Sequence, residues 1–444
     1  MYRFRQIWYY LADSFWFKPL LIVLSSIAMA LALIAIDYYA EPDRWIAQWP
    51  RLFGFGAEGA RAMMSTIAGS MITVLGVMYS MILVVLALAS SQYTSRILQN
   101  FIRNSVTQIV LGIFAGIFTY CLIVLSVIHG VEESYFVPSL SVFFGFIMAL
   151  GGVFALIFFI HHVAKSVQAS TIIASAAWET KEAINHLFPE LLGEGPDEDD
   201  DDDSMQKALE ERIWQAVPSR KNGYIQGVNS KALLSIAREK DTIVRMDYGV
   251  GNFVVRNTTL ASLALDDPPD QETIAAIQEA FFIDNYRSIN QDAAFGIRQI
   301  VDIALKALSP GVVETTTAVI CLDHLTVIMA RLIFRQIPSL YRYEEGKLRV
   351  IAKVPGFKSL LGESFDQIRN HANGDFTIML RMIESLQTLA NLEARQHHLS
   401  AICEQVEAIG ELAERTLGSE RERIMVNQHL SIVFETLHSK PNVA

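Results

Sequence analysis

The sequence predicts a multi-pass α-helical membrane domain of four transmembrane helices, followed by an α+β cytoplasmic domain with a small β-rich subdomain and C-terminal helices. Three observations carry this. No Asp, Glu, Lys or Arg falls between Lys18 and Asp37, from Met63 to Ser95, from Asn104 to Val131, or from Ser134 to Ala164. Each window holds the roughly 20 helical residues that a bilayer core requires. After Lys165 no uninterrupted window of that length recurs, and past residue 216 the pattern changes to short strands and then helices. The composition agrees, with 52% hydrophobic and only 19% charged residues.

Spans are expected near residues 18–37, 63–93, 106–130 and 136–163, within a transmembrane domain over 1–168. Arg3 and Arg5 precede an apolar stretch too long for a leader and without a small-x-small cleavage pattern, so it reads as a retained first span. Pro19 suits its first turn, where a missing N–H costs little. Arg3, Arg5 and Lys18 precede span one, Arg96 and Arg103 follow span two, and only Glu132 and Glu133 separate spans three and four. The positive-inside rule then puts both termini in the cytoplasm. The first loop runs against it with Arg44, Arg51 and Arg61, diluted by Asp37, Glu41, Asp43 and Glu58. Trp45, Trp49, Phe53 and Phe55 in that loop suit the headgroup level.

Span two is the most unusual. Nothing between Arg61 and Arg96 is charged, and a helix of that length reaches about 50 Å. Ser65, Gly69, Thr73, Gly76, Ser80, Ala87 and Ser91 recur at helical spacing and share an arc of roughly 80°. Two readings stay open for Ser65, Gly69, Thr73, Gly76 and Ser80. One is close helix packing; the other is the lining of a pore. Gly112, Gly116 and Thr119 in span three read as packing against span two. No span carries a mid-membrane charge, which argues against a proton-coupled carrier but not against a channel. His161 and His162 point about 100° apart and read as an interfacial anchor rather than a metal pair.

A helical extension and acidic linker are expected over 169–215, with Asp197–Asp203 as a solvated run lacking the spaced ligands of a calcium loop. A β-rich subdomain follows over 216–266, with strands at Tyr224–Val228, Thr242–Tyr248 and Phe253–Val255 and a short helix Lys231–Arg238 capped by Ser230. Residues 270–444 read as mainly helical, interrupted by a hairpin at 341–351 around Glu345-Gly346. Thr315, Thr316 and Thr317 open an apolar helix, where hydroxyls cap free N–H groups or, with Ser309, help hold an anion. Asp292, Phe295, Gly296 and Gln299 form a second helix face with Arg287 upstream, and the candidate ligand set is Arg287, Asp292, Ser309, Thr316 and Thr317. Met379, Ile383, Leu386 and Ala390, and Leu399, Ile402, Val406, Ile409 and Ala413, form apolar seams suited to a helix pair or to contacts between subunits. His397-His398 between them reads as a polar helix position.

The net charge of −11 and the absence of a basic patch argue against nucleic-acid binding. Cys121, Cys321 and Cys403 are scattered and read as reduced thiols. No nucleophile–base order, metal-ligand spacing or phosphate loop stands out, so no cofactor and no enzymatic activity are expected.

Two stretches, Ser65-Thr66-Ile67-Ala68-Gly69-Ser70-Met71-Ile72 through Ser90–Arg96, and Gln291-Asp292-Ala293-Ala294-Phe295-Gly296-Ile297-Arg298-Gln299 leading to Ser309-Pro310-Gly311, carry a resemblance. The chain resembles, over most of its length, a widespread bacterial family of predicted membrane proteins, family 2254 among the domains of unknown function. In that family Ser-Pro-Gly is followed by Ile-Asn-Asp-Pro and a Thr-Ala pair. This chain has Val312-Val313-Glu314 and keeps Thr317-Ala318. The resemblance implies an inner-membrane protein and supplies no activity. The functional expectation is a homo-oligomeric channel or pore-like protein, weakly cation-selective, with a cytoplasmic regulatory domain. The alternative is a membrane-anchored ligand sensor or scaffold. Partners are then the bilayer, further copies, and ions or a small anionic ligand.

Overall fold

The computed structural model describes residues 16–39, 56–92, 105–129, 136–187, 209, 212–335, 340–372, 374–392 and 396–439. The first loop, the Arg96–Arg103 segment, Glu132-Glu133 and the acidic run lie outside these. The chain divides into two compact units, residues 1–168 and 169–444.

Among the described residues, four apolar helices build the first unit: α1 (Phe17–Tyr39), α2 (Ala57–Gln92), α3 (Ser105–Val127) and α4 (Ser139–Ser166). Each is long and apolar enough to cross a bilayer. Helix α3 is the central one, packed on α1, α2 and α4. Met64, Met71 and Met78 repeat every seven residues along the buried side of α2, so one seam faces Phe114, Ile117 and Tyr120 of α3 in a shared core. Gly145 and Gly152 of α4 make room for this seam. A Cβ on Gly145 would lie 3.0 Å from Met64 Cε, and one on Gly152 would lie 3.1 Å from Ile117 Cδ1.

The glycines of span three correct the expected pairing. A Cβ on Gly112 would sit 2.9 Å from Pro19 Cα, and one on Gly116 would meet Ser26 Oγ at 2.5 Å. They receive span one, not span two. Small residues announce that a helix comes close but carry no label for which one.

The second unit opens with α5 (Ala169–Leu187), separated from α4 by a turn at Val167-Gln168 rather than continuing it. Strands β1 (Trp214–Pro218), β2 (Gly223–Val228), β3 (Val244–Met246), β4 (Phe253–Val254) and β5 (Thr259–Ala264) follow, with α6 (Ser230–Glu239) between β2 and β3. Asn229, not Ser230, caps α6, its side chain accepting from Ala232 N. Next come α7 (Gln271–Ala280) and β6 (Phe281–Asp284), a strand inside a stretch read as helical. Helices α8 (Ala293–Ala307) and α9 (Thr315–Ile333) precede the hairpin β7 (Tyr341–Glu344) and β8 (Lys347–Ile351). Helices α10 (Phe357–His371), α11 (Phe376–Asn391), α12 (Gln396–Thr416) and α13 (Glu420–Ser439) complete the described chain.

Two sheets form, in the orders β1-β5-β3-β8-β7 and β4-β2-β6. The hairpin therefore belongs to the β-rich part: β8 runs parallel to β3, with Val244 opposite Val350. Helices α6 and α7 pack on this sheet. Helix α9 is the core of the helical part, buried through Cys321, Leu322, Leu325, Ile328, Met329 and Leu332 against α5, α8 and α11. By length and composition alone it also qualifies as a span, but Asp323 and Arg331 interrupt it. The Met379-to-Ala390 seam is buried within the chain, α11 packing on α12 and α13. His398 is buried too, its ring 4.2 Å from that of Phe357, so the expected polar position is a packing one.

Candidate functional site

The structure separates the expected ligand residues into two groups. Arg287 and Asp292 stand at the start of α8, while Ser309, Thr316 and Thr317 stand past its other end. Fifteen helical residues put about 22 Å between these ends.

At the first end Asp292 is the N-cap of α8, its Oδ1 accepting from Phe295 N at 2.9 Å. Its Oδ2 accepts from Arg287 Nε at 2.9 Å and pairs with Nη2 at 2.8 Å. Arg287 in turn lies 4.9 Å over the Phe295 ring. Gln291 Oε1 accepts from Val228 N on β2 at 3.0 Å. Gly251, at φ +87, lets its loop close on this pair, because a Cβ there would lie 2.5 Å from Asp292 Oδ2. Both Asp292 oxygens are thus engaged, and the carboxylate is buried. The Gln291–Gln299 motif fastens the β-rich part to the helical part. Gly296 adds to this by letting α5 approach until Thr180 lies where a Cβ would be.

At the second end the hydroxyls do not cap α9. Glu314 is its N-cap residue and makes no side-chain cap bond. Thr317 Oγ1 donates to Glu314 Oε2 at 3.1 Å, Thr315 Oγ1 to Asp375 Oδ2 at 3.2 Å, and Ser309 Oγ to Lys306 O at 2.7 Å. Thr316 is exposed. Two carboxylates beside this helix start disfavour an anion there. Val313 holds φ +50, a costly conformation for a β-branched residue, in the turn before α9. Burial pushes the Cys321 thiol of α9 well above its ordinary range, so it stays protonated and unreactive.

In the membrane unit, Ser65, Gly69, Thr73, Gly76 and Ser80 all lie on the outer side of α2, away from its own bundle. A Cβ at Gly69 or Gly76 would touch nothing within 4 Å. Thr73 Oγ1 donates to Gly69 O at 2.8 Å and Ser80 Oγ to Gly76 O at 3.2 Å, so these two hydroxyls are satisfied within the helix.

Two features escaped the sequence reading. Asp37 sits inside α1, 5% exposed, and caps a different helix. Its carboxylate accepts from Leu140 N at 3.1 Å, Ser141 N at 2.9 Å and Ser141 Oγ at 2.7 Å at the start of α4. The residue preceding α4 is Pro138, which supplies no side-chain cap of its own. The second is a cluster of arginines on the β7–β8 hairpin. Strand alternation flagged the hairpin but not which side of it would be buried.

Four long apolar helices joined to an α/β unit define a multi-pass integral membrane protein with a large non-membrane portion. The sequence matches the family described as predicted membrane protein (DUF2254) over residues 12–388, and the chain belongs to that family. It is 28% identical over 384 residues to the uncharacterized protein Rv1290c of Mycobacterium tuberculosis (strain ATCC 25618 / H37Rv), covering 83% of this chain and 70% of the relative. The uncharacterized protein Mb1321c of Mycobacterium bovis (strain ATCC BAA-935 / AF2122/97) matches with the same identity and coverage. No solved structure matches the chain.

Proposed function

We propose that the protein is a homo-oligomeric inner-membrane channel or pore-like protein, with both termini and the soluble unit in the cytoplasm. The observation that carries this reading is the outward face of α2. Its small residues leave a smooth strip through the expected bilayer depth, outside the chain's own packing. Such a strip suits close approach of another helix. In a ring of copies it also borders a shared path. One four-helix subunit has little room for a path of its own, so subunits would share one. The acidic balance of the chain favours cations weakly, and the soluble unit would act as regulator rather than enzyme.

Purified full-length protein in planar bilayers tests this. The expected result is discrete cation-preferring conductance under voltage, tension or added ligand, abolished in Gly69→Leu. Silence under all three conditions rejects conduction. A ligand-sensing role without conduction is the second reading, and the arginine cluster of the β7–β8 hairpin favours it.

A further inference from the structure

We infer that the β7–β8 hairpin and the end of α6 form a binding site for a small oxyanion, a phosphoryl or carboxylate group, centred on Arg342. Arg342 lies opposite Val350, a core residue of the sheet. The register then shifts, leaving Arg349 without a cross-strand partner. At such a bulge two successive side chains turn to one side, and Arg349 and Val350 are both buried. Two arginines thus enter the same side of the hairpin, each residue only 7% exposed.

Their partners differ. Arg349 Nη1 donates to Asp241 Oδ1 at 2.7 Å and approaches Ala237 O at 3.4 Å, but its Nε is buried with no acceptor. Asp241, at φ +44 just past α6, is drawn to this position by Arg349 and by Lys347 at 3.4 Å. The other nearby cations are also matched: Arg238 with Glu344 at 3.5 Å and Lys240 with Asp270 at 2.8 Å. Arg342 alone has neither a carboxylate nor a hydrogen-bond acceptor among the described residues.

An arginine so largely enclosed and without an acceptor is costly, and its nitrogens, which are not cut off from solvent, stay open to an anion. Its planar fork matches two oxygens of a carboxylate or phosphoryl group. The Nε of Arg349, next in sequence to the cross-strand partner of Arg342, is a second donor without an acceptor. The competing internal acceptor is Glu344 Oε2, buried and unpaired two residues along the same strand. The inference stands whether or not span two conducts.

Full-length protein in detergent, in chloride buffer, is titrated with inorganic phosphate and separately with acetate at matched ionic strength. Melting temperature and hydrogen exchange over residues 341–351 are followed. The expected result is a saturable rise of about 5 °C and slower exchange in the hairpin with at least one anion. Arg342→Met should melt no lower than wild type without ligand and should lose the rise, whereas Arg238→Met should keep it. A response to phosphatidylglycerol vesicles but not to phosphatidylcholine vesicles or free anions assigns the phosphoryl group to a lipid headgroup. No saturable response of wild type to any probe overturns the site. So does an Arg342→Met variant that responds like wild type. An unliganded Arg342→Met that melts well below wild type, with no anion response in either protein, assigns Arg342 to pairing with Glu344 instead.

Discussion

Gly296→Val is expected to unfold the soluble unit at temperatures the wild type tolerates. The new Cβ would lie 2.9 Å from Thr180 Cβ and 3.0 Å from its Cγ2, and closer still to its hydroxyl. Thr180 is fully buried and its hydroxyl is tied to Ala176 O at 2.6 Å, so it has nowhere to turn. Overpacking a tight contact costs about 1–3 kcal/mol and sometimes more. Here both sides are helix and the branched Val adds two methyls, so the upper end applies, about 3 kcal/mol. The melting temperature of the full chain should fall by on the order of 10 °C. Combining Gly296→Val with Thr180→Gly should restore part of it, because removing the Thr180 side chain reopens the contact while a glycine within the helix costs about 1 kcal/mol. A Gly296→Val protein that melts with wild type would show that α5 and α8 do not approach this closely.

Asp37→Ala should be the most damaging single change in the membrane unit. The carboxylate satisfies two backbone N–H groups and one hydroxyl at the first turn of α4. It also places negative charge at the positive end of that helix. Buried against α1, those donors lose their partner when the carboxylate is removed. A loss of about 3 kcal/mol follows from the removed cap and the orphaned donors. Asp37→Asn keeps an acceptor and should cost about 1 kcal/mol. Thermal melting in detergent, with faster hydrogen exchange near residues 139–142 in Asp37→Ala, checks both. Equal melting of Asp37→Ala and wild type would remove the capping role.

Much of the membrane unit was legible because hydrocarbon imposes a length and a composition on each span. Which helix each glycine serves was not, since Gly112 and Gly116 look the same whether they meet span one or span two. Asp37 read as the end of a window. Its partner lies more than a hundred residues on, and local spacing cannot reveal that. In the soluble unit the hairpin was readable from alternation around Glu345-Gly346. Its membership of the larger sheet depends on the parallel pairing of Val244 with Val350, a contact between remote segments. Arg287 and Asp292, both in the expected ligand set, do meet, as a closed ion pair. The threonines of α9 share only their residue type with such a site, and the length of α8 keeps the two groups apart.

In the proposed channel the small-residue face of α2 meets other copies of the chain. Cysteines placed singly at Gly69 and Gly76, and at Ala68 and Met71 on the buried side, test it in a chain whose Cys121, Cys321 and Cys403 are replaced by alanine. Oxidation in native membranes should yield covalent dimers from Gly69→Cys and Gly76→Cys and none from Ala68→Cys or Met71→Cys. Monomer at all four positions, or dimers only from the buried pair, would contradict it.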